Sequence, residues 1–453
     1  MKRIYTILSA AALVMTAAAS AQAAGPLSFD GADATTVGIY IKDLSTGKVV
    51  ASHNANLAMT PASVTKAITA ASVLTKVGPD FRFETRVGLS GEREGGNRGT
   101  VWNGDIIINA TADPTLESDE FKPNRGFTDS IISHLRALGV KEINGTVVVL
   151  ESLKDAGTIP QWEVEDVAWP YGAGLYGFNY AGNCVRVYPN KGITRPASNM
   201  TIKVRPAEGK SDDMIRGAHS NEMTFWLTPA TSNKPDWSIS ASVDNPGAVY
   251  EALLLKRLND AGIRISGRPS DHKRVAVQSV YNHYSPTAEV IMTNMMKRSD
   301  NLFAEGMLRT LDPAGDRDDC LKVQADLWAE RGLNSRHTKI NDGSGLTRSN
   351  KIPPAFLGDV LESMARSPLA EKYLKFFPVA GIDGTMKNFM KKTRLKGRLA
   401  MKTGSVSGVQ CYAGYKVDGN NRPTHVVVVM VSGFFCPRAQ VRAAISKYLL
   451  TKL

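Results

Sequence analysis

Three short groups of residues could do covalent chemistry together: Ser63-Val64-Thr65-Lys66, Ser299-Asp300-Asn301 and Lys402-Thr403-Gly404. A serine hydroxyl is a poor nucleophile without an adjacent base. Lys66 follows Ser63 by three positions, so on a helix the two share a face and the amine can reach the hydroxyl oxygen. A lysine serves as that base only if its pKa is drawn down from about 10.4 by burial or by neighbouring cations. Lys402 and the positive N-terminal end of the helix carrying Ser63 are both expected to push that way. Ser299 offers a hydroxyl that can pass a proton, and Asn301 an amide that can hold a substrate carbonyl and the Lys66 amine. Lys402 and Thr403 suit a terminal carboxylate, and Gly404 is expected to let a ligand approach the backbone closely. The amides of Ser63 and Ser405 could form an oxyanion hole. Each group alone is common, since Ser-Asp-Asn is also an ordinary capping or turn sequence. Together, in this order, they point to acyl transfer through a serine ester.

The elements that must position these groups are legible in outline. Val37–Leu44 and Lys48–Ala51 read as two strands of a hairpin around Ser45-Thr46-Gly47. Thr60 is expected as an N-cap and Pro61 as the first helical residue, with Ala67, Ile68, Ala71 and Leu74 at helical spacing until Gly78-Pro79 ends the run. Residues from about 84 to 270 read as β-rich, with one helix near Asp129–Leu138, and suggest a module inserted between helical segments. Ser285-Pro286 is expected to open a helix toward Arg298, with another apolar stretch from Leu302. Gly408–Val417 and His425–Val431 read as strands joined by Asp418-Gly419-Asn420-Asn421. The near-continuous Val426–Val431 suits a strand buried on both faces, and Arg438–Leu453 a helix packed on that sheet.

The chain of 453 residues is 43% hydrophobic and 22% charged, an ordinary globular composition that excludes disordered, collagen-like and coiled-coil classes. Lys2 and Arg3 precede an apolar stretch from Ile4 to about Ala19, followed by Ala21-Gln22-Ala23, which reads as a removed signal over residues 1 to about 23. No later run is long and apolar enough to span a bilayer, so the expected location is the periplasm or the cell exterior, with peripheral membrane contact left open. The formal charge of +12 favours anionic surroundings. Much of it, including the run Lys391, Lys392, Arg394, Lys396 and Arg398, suits a solvated face, and no nucleic-acid partner is expected. Cys184, Cys320, Cys411 and Cys436 could pair in three ways in an oxidising compartment. The seven scattered histidines carry no zincin spacing, so neither a metal nor a cofactor is expected in the catalytic centre.

The three groups, with the 236 positions between Ser63 and Ser299, resemble the class C low-molecular-mass penicillin-binding proteins, the D-alanyl-D-alanine carboxypeptidase/endopeptidase family (peptidase family S13). Further matches are Ala112-Asp113-Pro114-Thr115-Leu116, Tyr171-Gly172-Ala173, Asp342-Gly343-Ser344-Gly345-Leu346-Thr347-Arg348 and Gly381-Ile382-Asp383-Gly384-Thr385. Ala112 departs from a glycine usual in the family, and Thr347 from a common serine.

The resemblance implies an α/β fold: a penicillin-binding transpeptidase/β-lactamase-like domain, with an antiparallel five-stranded sheet and helices on both faces. That domain would comprise residues 24–84 and 270–453. A large, mainly β insert over 85–269 would form two subdomains, about 97–165 being nested within the rest. By similarity Ser63 is acylated, Lys66 is the base, Ser299 relays the proton, and Asn301, Lys402, Thr403, Gly404 and Ser405 hold substrate. Arg348, Ser407 and Asp166 would form a subsite for a diaminopimelyl amine, with the neighbouring Glu165 as an alternative to Asp166. The implied partners are peptidoglycan peptides and covalently bound β-lactams. Carboxypeptidase and endopeptidase action stay equally open. A β-lactamase has no need of the long gap or of the Asp342–Arg348 block, and a non-catalytic wall-binding scaffold has no need of intact Ser63 and Lys66.

Overall fold

A computed structural model describes residues 26–96 and 99–453; the expected signal segment lies outside them. The centre is a five-stranded antiparallel sheet in the order Leu399–Val406, Val409–Val417, Pro423–Ser432, Thr36–Asp43, Val49–His53. The first and last segments of the chain therefore share one sheet, and the strand carrying Lys402 lies at its edge.

The middle strand shows why this valine-rich sequence sits there. Val426, Val428 and Met430 point into one core, and Val427, Val429 and Val431 into the other, all with no exposed surface. Covering both faces with helices lets an antiparallel strand read as a continuous apolar run rather than an alternating one. Each fully buried valine contributes about 1.5–2 kcal/mol by removal from water. On one face pack the helices Thr65–Lys76, Ala288–Arg298, Asn301–Arg309 and Pro354–Ala365; on the other, Val441, Ile445 and Leu449 of Arg438–Lys452. The turn after Val409–Val417 closes as its sequence suggests, Asp418 Oδ1 accepting from the amides of Asn420 and Arg422 at 2.8 and 2.9 Å.

Several local expectations are revised. Thr60 is not an N-cap: a 3-10 turn over Ala62–Val64 precedes the helix Thr65–Lys76, neither start has a side-chain cap, and the Thr60 hydroxyl instead accepts from Lys351 Nζ at 2.7 Å. Ser285-Pro286 does not open the next helix, whose N-cap is Thr287; the Ser285 hydroxyl accepts from the Phe83 amide at 2.9 Å. Asp300 caps the following helix, accepting from the Phe303 amide at 2.9 Å, so Ser-Asp-Asn is a cap as well as a candidate site.

Residues 84–284 hold two further cores and more helix than expected. Strands at 84–89, 106–110, 147–151 and 278–284 form one sheet, and 92–96, 99–103, 140–143 and 264–265 another. Between them lie Phe127–Ala137 and Pro246–Asp260, whose Ile131, Leu135, Tyr250 and Leu254 share their core. The second of these helices was not anticipated, although Asn245-Pro246 is a start signal: the Asn245 side chain accepts from the Ala248 amide at 3.0 Å. Strands at 184–188, 193–195 and 239–242, and at 201–206, 213–216 and 222–227, surround a separate core that includes Val185, Phe225 and Ala241. The strands of 97–165 thus pair with segments on both sides of this second core, and the segment enclosed in sequence is 184–242. The strand at 278–284 also pairs with 84–89, past the expected boundary at 270.

The four cysteines are all unpaired, Cys320 and Cys411 being buried.

Candidate active site

The three groups converge. Ser63 lies in the 3-10 turn ahead of its helix, entered through Ala62 at φ +49°. Lys66, one turn further on, is fully buried, with its amine 3.0 Å from Ser63 Oγ, 2.6 Å from Asn301 Oδ1 and 2.7 Å from the Ser344 carbonyl oxygen. Ser299 closes the preceding helix in the left-handed region at φ +66°, a conformation that costs a non-glycine residue about 1 kcal/mol or more. That bend turns its hydroxyl toward Lys402, whose buried amine donates to Ser299 Oγ at 2.8 Å and to the Thr403 carbonyl at 2.7 Å.

Two buried lysines facing two serines make unusual electrostatics. Burial lowers the Lys66 pKa to about 8, against the opposing pull of Asp342, Glu305 and Asp300. Burial first, and then repulsion from Lys66, drive Lys402 well below its ordinary value. Desolvation is thus the largest cause of the Lys66 depression, one of the two causes the sequence reading offers. The result is a lysine with a substantial neutral fraction near pH 8, within hydrogen-bond reach of a serine hydroxyl.

Gly404 is also required for packing within the protein. A Cβ there would sit 2.6 Å from the Pro61 carbonyl oxygen and 3.1 Å from the Ser63 nitrogen. The missing side chain admits the turn bearing Ser63, which seats that turn against the edge strand Leu399–Val406. The neighbouring Thr403 hydroxyl donates to Thr385 Oγ1 at 2.8 Å. Ser405 and Ser407, further along, are exposed.

The insert reaches the site through more residues than the Asp166 or Glu165 expected from the sequence. Asn301 Nδ2 donates to the Tyr171 carbonyl at 2.7 Å, fixing Oδ1 toward Lys66. Trp162 Nε1 donates to Asp342 Oδ2 at 3.0 Å, and the Thr347 hydroxyl to the Gln161 carbonyl at 2.7 Å. Arg348 reaches the Ser407 carbonyl at 3.3 Å, and its ion-pair partner is Glu163, 3.6 Å away. Asp166 instead accepts from the Tyr171 hydroxyl at 3.0 Å. Arg348 thus lies against the Ser407 carbonyl and Glu163, while Asp166 lies against Tyr171. Tyr171 and Asp342–Thr347 stand out in the sequence as parts of matched blocks without roles; Glu163 and Glu305 give no signal there.

Comparisons with known proteins identify the family and the fold. The model of the D-Ala-D-Ala carboxypeptidase 3 (S13) family matches residues 27–447. A D-alanyl-D-alanine carboxypeptidase of Haemophilus influenzae is 26% identical over 433 residues, covering 89% of this chain and 86% of that one. Another, from an Actinomadura species, is 26% identical over 413 residues, covering 83% and 74%. The crystal structure of penicillin binding protein 4 from H. influenzae aligns with a TM-score of 0.77 at 22% identity, over 94% of this chain and 97% of that one. A predatory endopeptidase of Bdellovibrio bacteriovorus aligns at 0.52 and 15% identity, over 92% and 93%. These structural likenesses establish the fold as that of the penicillin-binding proteins. The family match spans both the sheet and the insert and encloses every residue placed around Ser63, and the chain therefore belongs to the D-Ala-D-Ala carboxypeptidase 3 (S13) family of serine peptidases.

Proposed function

We propose that this chain hydrolyses the D-Ala-D-Ala end of peptidoglycan stem peptides through an ester on Ser63. The observation that carries this reading is the 3.0 Å approach of the buried Lys66 amine to Ser63 Oγ, with the lysine pKa lowered to about 8. Neutral Lys66 takes the hydroxyl proton as Ser63 Oγ attacks the penultimate D-alanine carbonyl. The Ser63 and Ser405 amides stabilise the oxyanion of the tetrahedral intermediate. Ser299, held by Lys402, relays the proton taken by Lys66 to the leaving amine, and terminal D-alanine departs. Water, giving a proton to Lys66, then cleaves the ester as that proton returns to Ser63 Oγ and the shortened peptide leaves. Lys402 and Thr403 hold the terminal carboxylate. The edge strand Leu399–Val406 is bridged by Pro378–Ala380 at its start, and beyond Met401 its outer side offers backbone groups to an extended peptide.

When the leaving amine belongs to a cross-linked diaminopimelate, the same steps make an endopeptidase. Arg348, Ser407 and Glu163, with Asp166 beside Tyr171, would form a polar subsite for that residue's second, free end. β-Lactams would be trapped at Ser63 because their ring-opened acyl group stays tethered. The expected leader places this activity in the periplasm, and among the described residues no helix is long and apolar enough to cross a membrane.

Intact mass of the mature protein with excess benzylpenicillin, beside Ser63→Ala, tests the reading. A persistent one-to-one adduct absent from the variant supports it. Penicillin consumed without an adduct would indicate a β-lactamase, and neither adduct nor consumption would leave a wall-binding scaffold.

A further inference from the structure

Glu305 lies on the helix Asn301–Arg309, four residues after Asn301 and thus on the same face. It is 3% exposed and, among the described residues, has no cationic partner. A buried carboxylate without a cation is costly unless its oxygens are used. Here Oε2 accepts from the Gly343 amide at 3.0 Å and Oε1 from the Ser344 amide at 2.8 Å. These amides belong to the turn whose next polar atom, the Ser344 carbonyl oxygen, accepts from Lys66 at 2.7 Å.

The turn is held on every side. A Cβ on Gly343 would lie 2.8 Å from the Ala304 carbonyl oxygen, and one on Gly345 2.0 Å from that of Ala62, so it is wedged between the helix bearing Glu305 and the turn bearing Ser63. From the helix Thr65–Lys76 the Thr69 hydroxyl donates to the Gly343 carbonyl at 2.7 Å. A neutral lysine amine has two N–H groups and one lone pair. Asn301 Oδ1 and the Ser344 carbonyl oxygen can only accept, so they take the two N–H groups and leave the lone pair for the Ser63 hydroxyl. Moving the Ser344 carbonyl would release one N–H and let the amine rotate away.

We propose that Glu305 is the positioning residue for the base, clamping the Gly343–Ser344 turn so that the Ser344 carbonyl directs the Lys66 lone pair at Ser63. The inference rests on the acylation chemistry proposed above. Its charge also contributes: the charged groups facing Lys66 are Asp342, Glu305 and Asp300, which favour the ammonium, and Lys402, which lies opposite. Glu305 itself faces Asp342, and shares a cavity of about 20 Å³ with Asp155, Arg309 and Arg317, enough for one water. Burial and the Asp342 charge raise its pKa from 4.5 to about 7, so at the alkaline pH where Lys66 is neutral it is ionised and accepts both amides.

The test is the pH profile of acylation by a fluorescent penicillin for the wild type, Glu305→Gln and Thr69→Val. Glutamine must turn an NH2 toward one of the two amides, so its plateau rate should fall about tenfold or more while the folded structure persists. Loss of one carboxylate facing Lys66 should also move the ascending limb to lower pH, by about half a unit. Valine at position 69 frees the turn without changing charge, so the plateau should fall about fivefold with the limb unmoved. A folded Glu305→Gln protein with the wild-type plateau and limb overturns the proposal. Should that variant not fold, a folded Thr69→Val protein acylated at the wild-type rate overturns it. Normal acylation of the wild type in either case leaves the peptidase reading standing, whereas a wild type that is never acylated overturns both.

Discussion

Gly404 and Ser63 approach so closely that a β-carbon on the glycine would lie 3.1 Å from the serine's backbone nitrogen, with the Pro61 carbonyl oxygen nearer still at 2.6 Å. Both neighbours are backbone, and neither can move without shifting the turn that aims the nucleophile. Gly404→Ala should therefore leave the sheet folded but lower the acylation rate by about a hundredfold, because displacements of an ångström are costly at a reacting centre. Penicillin labelling kinetics beside a melting curve checks this, and wild-type labelling would show that the contact is slack.

Acylation should rise with pH through about 8, because only the neutral amine of Lys66 can take the Ser63 proton. Burial lowers this lysine's pKa to about 8, so the active form accumulates at a pH roughly 2.5 lower than in an ordinary lysine. Lys66→Arg holds its charge at every accessible pH and should abolish the adduct. A rate independent of pH from about 6 to 10 would show that another group acts as the base.

Asp342 carries four hydrogen bonds: from the Gly345 and Thr347 amides at 2.8 Å each, from Asn350 Nδ2 at 2.7 Å and from Trp162 Nε1 at 3.0 Å. Asp342→Ala leaves all four buried donors without that acceptor. It should destabilise by on the order of 3 kcal/mol or more, measured by denaturant unfolding. Trp162→Phe removes one donor and keeps the ring, so a loss of about 1 kcal/mol is expected. Equal losses in the two variants would mean that the tryptophan contact dominates the network.

Arg348→Ala should separate substrate from inhibitor. The guanidinium lies with Glu163 and the Ser407 carbonyl, away from the hydrogen bonds that hold Lys66 and Lys402. The penicillin acylation rate should stay within about twofold of wild type, while KM for a diaminopimelate-containing peptide rises about tenfold. Glu163→Gln should follow Arg348→Ala more closely than Asp166→Asn does, since Asp166 holds the Tyr171 hydroxyl. A parallel fall in penicillin acylation would place Arg348 in the common machinery instead.

The sequence by itself determined the reaction class, which the family match supports, and named Ser63 and Lys66 as candidates for nucleophile and base. Ser63 and Lys66 are joined by helical spacing, and the valine run 426–431, the turn at Asp418 and the C-terminal helix are short-range patterns that a local reading detects. What only the tertiary structure decided are relations between distant segments. The Lys66 amine meets Asn301 across 235 positions and Ser344 across 278. Burial, which sets the lysine's pKa, belongs to the assembled core and to no window of sequence. The same holds for Gly404, whose missing side chain accommodates a neighbouring turn, for Glu163 as the partner of Arg348, and for the enclosed position of 184–242. Local sequence fixes which torsions and faces a segment prefers, whereas contacts made by loops depend on how the cores bring those faces together.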